Sequence, residues 1–198
     1  MVRVFLRKLK NRLSKSNNRL FKNYLYKLNR DEAREVQSKL PVCQEPITQD
    51  NYKRVIEVIN LESYKESFKK MLDQGQIGIF AIYNNRAVGY NWAYIGRVYN
   101  KISKKRADDL IKLKNDKALI HFCRTAEDYK GNKIYPFLLS KLSKILFSKY
   151  NIKNIYIDTD IENIPSQKGI EKAGFRKIYL VKRLKLLGFF ISWNFRKI

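Results

Sequence analysis

Only two cysteines and one histidine occur in 198 residues. Cys43 and Cys123 lie in separate apolar segments and form neither a CxxC pair nor a Cys/His cluster of zinc-ligand spacing. A disulfide framework and a metal site are therefore not expected, and a reducing cytoplasm is the expected compartment. Acidic residues are scarce as well: 18 Asp and Glu stand against 42 Lys and Arg, a net charge of +24. That balance implies attraction to polyanions such as nucleic acid, anionic lipid or phosphorylated ligands. Long hydrophobic runs are missing, so no segment is expected to span a bilayer. Charge interrupts the N-terminal apolar residues every two or three positions, so this segment is not expected to be a secretory signal. Internal repeats and low-complexity linkers are absent too.

What is present is enough to fold. Hydrophobic residues make up 44% and aromatics 13%, which argues against disorder despite the charge. The length suits one domain with an appendage of a few dozen residues. A general richness in lysine accounts for much of the charge but not for its clustering: residues 1–30 hold ten Lys or Arg and no acid. In that stretch Val2, Leu6, Leu9 and Leu13 fall at helical spacing, and Leu20, Phe21, Tyr24, Leu25 and Leu28 repeat the pattern. Residues 1–40 are thus expected to form a basic, amphipathic, helical appendage. It would lie on an anionic membrane surface at the inner face or pack on its own domain or a partner. Contact with nucleic-acid phosphates is a further option, although no nucleic-acid-reading motif accompanies it.

Residues 41–198 read as the domain proper. "ITQDNYKRVIEVIN" reads as a short strand or turn followed by a helix, and "ESYKESFKKMLDQG" as a second helix closed by Gly75. Asn84-Asn85 then predicts a hairpin of Ile77–Tyr83 with Ala87–Tyr94. A polar excursion follows over 99–116. "KALIHFCRTAED" reads as a strand, a helix runs from about 133 to 150, and "NIYIDTD" is a strand. "NIPSQKGIEKAGF" is a short helix, and "RKIYLVKRLKLLG" and "FISWNF" complete the sheet. The fold class is α/β (α+β), a mixed sheet of about six or seven strands flanked by helices.

Two of these units carry chemistry. "EDYKGNKIYPFLLSKL" puts a loop with Gly131 and two lysines in front of an apolar-periodic helix. The free N–H groups of such a helix N-terminus suit phosphate. In "DTDIENIPSQKGIEKAGF" an Asn follows a strand, Ser166 comes three residues later, and Gly174-Phe175 closes the unit. Together, in this order and separation, they resemble the GCN5-related N-acetyltransferase (GNAT) superfamily over roughly Ile47 to Tyr179, with a lean toward members linked to surface-polysaccharide pathways. That resemblance implies acetyl-CoA as co-substrate, held at a loop of the form Q/R-x-x-G-x-G/A.

Carried over by position, Lys130 takes the Q/R place, and Gly131 and Asn132 take the variable places. Lys133 stands at the first motif glycine, Ile134 follows, and Tyr135 stands at the Gly/Ala place before Pro136. Both motif glycines are lost, so binding would fall to backbone N–H groups and the lysines. The resemblance also assigns the backbone of Cys123, Arg124 and Thr125 to the pantetheine arm and the thioester carbonyl, and makes Asn163 part of the cofactor-binding set. The tyrosine that often serves as general acid is replaced by Ile170, which leaves water, Tyr129 or Tyr135 as proton sources.

A base must take the proton of the attacking ammonium. Asp158, near the end of "NIYIDTD", is the first candidate, with Asp160 beside it. Its alternative is a strand-end carboxylate bonded to a loop. His121 titrates near neutrality and is the second, against the reading of a packed histidine with a satisfied hydrogen bond. The expected function is transfer of an acetyl group from acetyl-CoA to an amine, plausibly on an amino sugar or glycan precursor. The alternative is a non-catalytic binding module of the same fold, attached to membrane or nucleic acid by its charge.

Overall fold

The computed structural model describes residues 19–96, 115–186 and 189–198. The first half of the basic N-terminal segment and nearly all of the excursion at 99–116 lie outside these residues. Eight strands form one mixed sheet: β1 Arg19–Asn29, β2 Cys43–Pro46, β3 Ile77–Tyr83, β4 Arg86–Ile95, β5 Lys117–Thr125, β6 Asn154–Asp160, β7 Arg176–Leu186 and β8 Phe189–Lys197. Their order across the sheet is β2-β3-β4-β5-β6-β1-β7-β8. The described helices are α1 Val55–Val58, α2 Ser63–Asp73, α3 Ile134–Lys149 and α4 Ile164–Lys172. The hairpin, the later strands and the helices fall where their periodicity places them. Asn84 and Asn85 have φ of 47° and 56°, the left-handed pair that a tight two-residue hairpin requires.

One expectation is overturned. Residues 19–29, read as the second half of a helical appendage, are a strand inside the sheet, antiparallel to both β6 and β7. Tyr26 and Leu28 pack on one face of the sheet and Leu25 on the other, all three buried. A central strand covered on both faces needs apolar residues on both, so its pattern loses the period of two and imitates a helix. The boundary expected at 40/41 therefore does not detach 19–29 from the domain.

After β1 the chain crosses the outside of α3 as an extended strap, within the 1–40 stretch whose pattern predicts a helix. The Ser140 Oγ accepts from the Val36 amide at 3.3 Å, and the Asn132 carbonyl accepts from Ser38 Oγ and from the Lys39 amide, both at 2.9 Å. One face of the sheet packs on α3 and α4 through Ile79, Ile120, Ile155 and Ile157 against Ile134, Leu138, Leu142 and Ile170. On the other face α2 is anchored by Phe68, which is fully buried. Its ring meets Tyr90 and Trp92 edge-on at 4.8 and 5.1 Å. Truncating such a ring costs about 3–5 kcal/mol, so α2 hangs on this one side chain.

Candidate active site

The site begins where two parallel strands part. β5 and β6 are paired at only three positions: Lys117↔Asn154, Ala118↔Ile155 and Leu119↔Tyr156. Beyond that last rung β5 stays with β4 as far as Thr125, while β6 stays with β1 as far as Asp160. The result is a wedge: past Leu119, among the described residues, no strand pairs with β5 on the side away from β4. Open strand edges of this kind accept an extended partner.

A bulge aims the β5 arm. The β4–β5 register shifts between Tyr90 and Trp92, so Phe122 and Cys123 together face Asn91, and Phe122 takes a φ of 50°. A bulky residue rarely adopts that conformation, and it persists where surrounding packing enforces it. Here Phe122 stacks on Tyr64 at 5.5 Å and tilts onto Tyr90 at 5.8 Å, while remaining 37% exposed. Nothing in the sequence pattern marks Phe122 or Tyr64. The irregular conformation of Phe122 is the signal, and only the fold reveals it.

Cys123, Arg124 and Thr125 lie on the open arm, as expected from the resemblance. Cys123 is a half-buried thiol donating to the His121 carbonyl at 3.5 Å, and burial holds it well above an ordinary thiol pKa. Thr125 Oγ1 is buried without a hydrogen-bond partner among the described residues. A buried hydroxyl in that condition is a group waiting for a ligand atom or water.

The arm runs on into the loop. Residues Glu127–Tyr129 make one 3-10 turn, and Lys130 pairs with Glu127 at 2.8 Å. Gly131 has φ +79° and is exposed, and nothing lies within 4 Å of where its Cβ would be. It is a turn residue, not a packing one. The Asn132 side chain donates to the Tyr129 carbonyl at 3.2 Å, while the strap holds its own carbonyl. Lys133, at the position of the lost motif glycine, has φ +59°, so the backbone keeps the left-handed conformation that glycine favours. Its side chain is exposed and caps nothing. The first helical bond runs from the Phe137 amide to the Lys133 carbonyl at 3.1 Å, which leaves the amides of Ile134 and Tyr135 without helical acceptors. Pro136 has none to offer, and Ile134 faces the core. A 16-residue helix thus opens toward solvent with no side-chain cap and with lysines on its rim. These residues fit a diphosphate.

The two candidate bases flank the wedge mouth. Leu119 and Tyr156 form the last rung and belong to the cluster of Leu25, Tyr94 and Val181 on one face. Strand alternation puts His121 two residues past Leu119, and Asp158 two past Tyr156, on that same face of opposite arms. The Asn23 amide donates to Asp158 Oδ2 at 2.8 Å. His121 stacks on Tyr94 at 4.0 Å, and its Nε2 lies 2.9 Å from Gln76 Oε1. An amide oxygen at Nε2 favours the tautomer that carries its proton there. Asn23 and Gln76 are site neighbours that motif reasoning missed, since each comes from a distant element.

On the far arm, Asn163 accepts the Ser166 amide at 3.1 Å and so caps α4. Ile170, one turn on, is completely buried in the core. Tyr135 projects from the first turn of α3 to α4. Its ring lies on the bare Cα of Gly169, where a Cβ would come within 2.7 Å of the ring, and its hydroxyl accepts from Ser166 Oγ at 3.3 Å. Burial raises its pKa well above the ordinary value, and Cys123 and Asp158 add to that electrostatically. Among the described residues no three His, Cys, Asp or Glu side chains gather as a metal site.

Comparison with known proteins bears on the family and the fold. The acetyltransferase (GNAT) family model matches residues 43–175. No curated protein matches the sequence. Among solved structures, a GNAT-family acetyltransferase of Colwellia psychrerythraea superposes with a TM-score of 0.62, at 11% identity, over 91% of this chain and 62% of that one. A glucosamine N-acetyltransferase region of a fungal multi-domain β-N-acetylglucosaminidase gives 0.60 at 12% identity, over 90% of this chain and 22% of that one. An aminoglycoside acetyltransferase in complex with coenzyme A and kanamycin gives 0.56 at 16% identity, over 69% and 84%. At such identities the likeness is one of fold. The chain spans less than two thirds of the Colwellia structure and under a quarter of the fungal one.

Proposed function

The chain belongs to the acetyltransferase (GNAT) family, and from that premise we propose that it transfers an acetyl group from acetyl-CoA to a primary amine. The observation that carries this reading is the continuity of the wedge with the open N-terminus of α3. An extended arm lies along the free edge of β5 beside Cys123, Arg124 and Thr125. The diphosphate then meets Lys130 to Tyr135, and the thioester lies at the bulge. Backbone donors of the bulged arm stabilise the oxyanion that forms when the amine attacks, and being fixed they need no reorganisation. Asp158, held by Asn23, takes the proton of the incoming ammonium directly or through water, with His121 on the opposite arm. Acetyl-CoA supplies the activated acetyl group. The chain supplies its alignment, the oxyanion donors and the base.

The acceptor enters over the face that carries Tyr64, Phe122, His121 and Asp158. Phe122, an exposed aromatic ring on one arm, and Asp158, a carboxylate on the other, suit a cyclic amine-bearing molecule whose ring lies on Phe122 while its ammonium meets Asp158. This favours an amino sugar or glycan precursor. The fungal neighbour is described as a glucosamine N-acetyltransferase region, and the aminoglycoside acetyltransferase is in complex with kanamycin; both support the class. The first 18 residues hold six Lys or Arg and no acid, which supports contact with an anionic membrane surface. Sedimentation with anionic vesicles tests it: a chain lacking 1–18 that pellets equally refutes it.

Thermal unfolding with acetyl-CoA tests the central reading. Ligand at a hundred times its Kd adds about 2.7 kcal/mol, or roughly 5–10 °C in a chain of this size. No shift at millimolar acetyl-CoA would leave the alternative, a non-catalytic module of this fold.

A further inference from the structure

The loop before α3 keeps a left-handed backbone without a glycine at that place. Lys133 has φ 59° and ψ 20°, a conformation that costs any residue with a Cβ. Such a residue stays there where its neighbours enforce it. On this loop the neighbour is the strap. Ser38 Oγ and the Lys39 amide both donate to the Asn132 carbonyl at 2.9 Å. Ser38 is itself aimed, because its oxygen accepts from the Leu40 amide at 3.2 Å. The strap is fastened on either side of this grip. Upstream the Val36 amide bonds Ser140 Oγ of α3 at 3.3 Å, and downstream Leu40 and Val42 pack on the core.

In a trans peptide the carbonyl and the following N–H point in opposite directions. Holding the Asn132 carbonyl on the strap therefore turns the Lys133 N–H away from it. That amide and those of Ile134 and Tyr135 have no acceptor among the described residues. A half-turn of the same peptide would give Lys133 a negative φ and relieve its strain. It would also put a carbonyl where the donor stood, and a run of successive N–H groups is what draws an anion.

We propose that Ser38 is a positioning residue for coenzyme A: the strap holds the Asn132–Lys133 peptide with its N–H outward, in place of the missing glycine. The inference rests on the acetyltransferase reading above. Ser38 acts through the Asn132 carbonyl on the Lys133 amide, and through that amide on the diphosphate. A lysine is tolerated at this place because a contact from 94 positions upstream enforces what glycine would permit.

Ser38→Ala tests this in the full chain. Loss of one neutral hydrogen bond should weaken acetyl-CoA binding roughly three- to tenfold by titration calorimetry. Its kcat should change less than about twofold, since the bulge and Asp158 are untouched. Ser38→Thr keeps the hydroxyl and should restore the affinity. Acetyl-pantetheine, which carries the thioester without the diphosphate, is the control substrate: its kcat/KM should be the same for wild type and Ser38→Ala. In a Lys133→Gly background the strain is gone, so the loss caused by Ser38→Ala should shrink to less than about twofold. An acetyl-CoA affinity unchanged by Ser38→Ala would overturn the proposal and leave the transferase reading intact. Equal losses for acetyl-CoA and acetyl-pantetheine would overturn it as well, by showing a general loosening of the domain. If the wild type does not bind acetyl-CoA, the transferase reading fails, and this proposal with it.

Discussion

Replacing Gly169 by alanine sets two local rules against each other, and the structure says which prevails. In the interior of α4, alanine is favoured over glycine by about 0.8–1 kcal/mol. The new Cβ would lie 2.7 Å from Tyr135 Cδ1 and 3.0 Å from Cε1. Those atoms form the near side of a ring anchored at both ends, so the ring cannot swing clear as a flexible chain end would. Overpacking of this kind costs about 1–3 kcal/mol. The net result should be destabilisation of up to about 2 kcal/mol, the overpacking cost less the helix gain. In a Tyr135→Ala background the obstacle is gone, and the same change should stabilise by the helix gain alone. A double-mutant cycle read from urea unfolding midpoints should therefore show coupling of about 1–3 kcal/mol, with a reversal of sign. If Gly169→Ala has the same effect in both backgrounds, the ring is not where the structure puts it.

The other expectations follow from single contacts. Gly174→Ala should be far more destabilising than Gly131→Ala: both have positive φ, but a Cβ at Gly174 drives into the Glu32 carbonyl, whereas at Gly131 it meets nothing. Calorimetry should separate them by several degrees. Asp158→Asn should lower turnover about 100-fold, within the range for a general base, while coenzyme A affinity by titration calorimetry hardly changes; unaltered turnover would remove Asp158 as the base. Cys43 is exposed, whereas Cys123 is only half-exposed and its thiol pKa is raised, so Ellman's reagent should react quickly with one thiol. The second should react on unfolding, and more slowly still when acetyl-CoA is bound. Stability should also fall at high pH. Tyr26, Tyr90 and Tyr135 have folded pKa values above the ordinary 10.0. Their protonated forms are favoured by folding, so that contribution is full below pH 10 and is lost as pH rises beyond it. Urea midpoints between pH 8 and 11 would show this.

Much of the fold was legible because its signals are local. Asn84-Asn85 announced a hairpin, and the helix after the loop announced itself by period. The order of the two motif units then named the family. What stayed hidden depended on partners far along the chain. Arg19–Asn29 reads as a helix because burial on both faces erases alternation, and only the pairing with β6 and β7 reveals the strand. Within the site, Cys123 to Thr125 lie on β5 and lead into the loop before α3, Ile134 turns into the core, and Asn163 caps α4 on the other arm; strand alternation puts His121 and Asp158 on the same face. The left-handed backbone at Lys133 was invisible, since lysine conceals what glycine would have advertised. Phe122, Asn23 and Gln76 join the site through a bulge, a strand register and a cross-element hydrogen bond, none of which has a sequence signature.

The place of β1 has a bearing on how the molecule is made. Asn23 meets Asp158 across 135 positions of chain, and on its other side β1 meets β7, later still. During synthesis this strand emerges long before either neighbour, so it must wait, open on both edges, until some 150 further residues have followed. Pairings of such sequence separation close slowly, and an unpaired apolar strand is the segment most exposed to wrong partners meanwhile. The lysines and arginines spaced along it act in that interval as gatekeepers against self-association. On this account the charge of the N-terminal segment protects the sheet before it exists, whatever surface it meets afterwards.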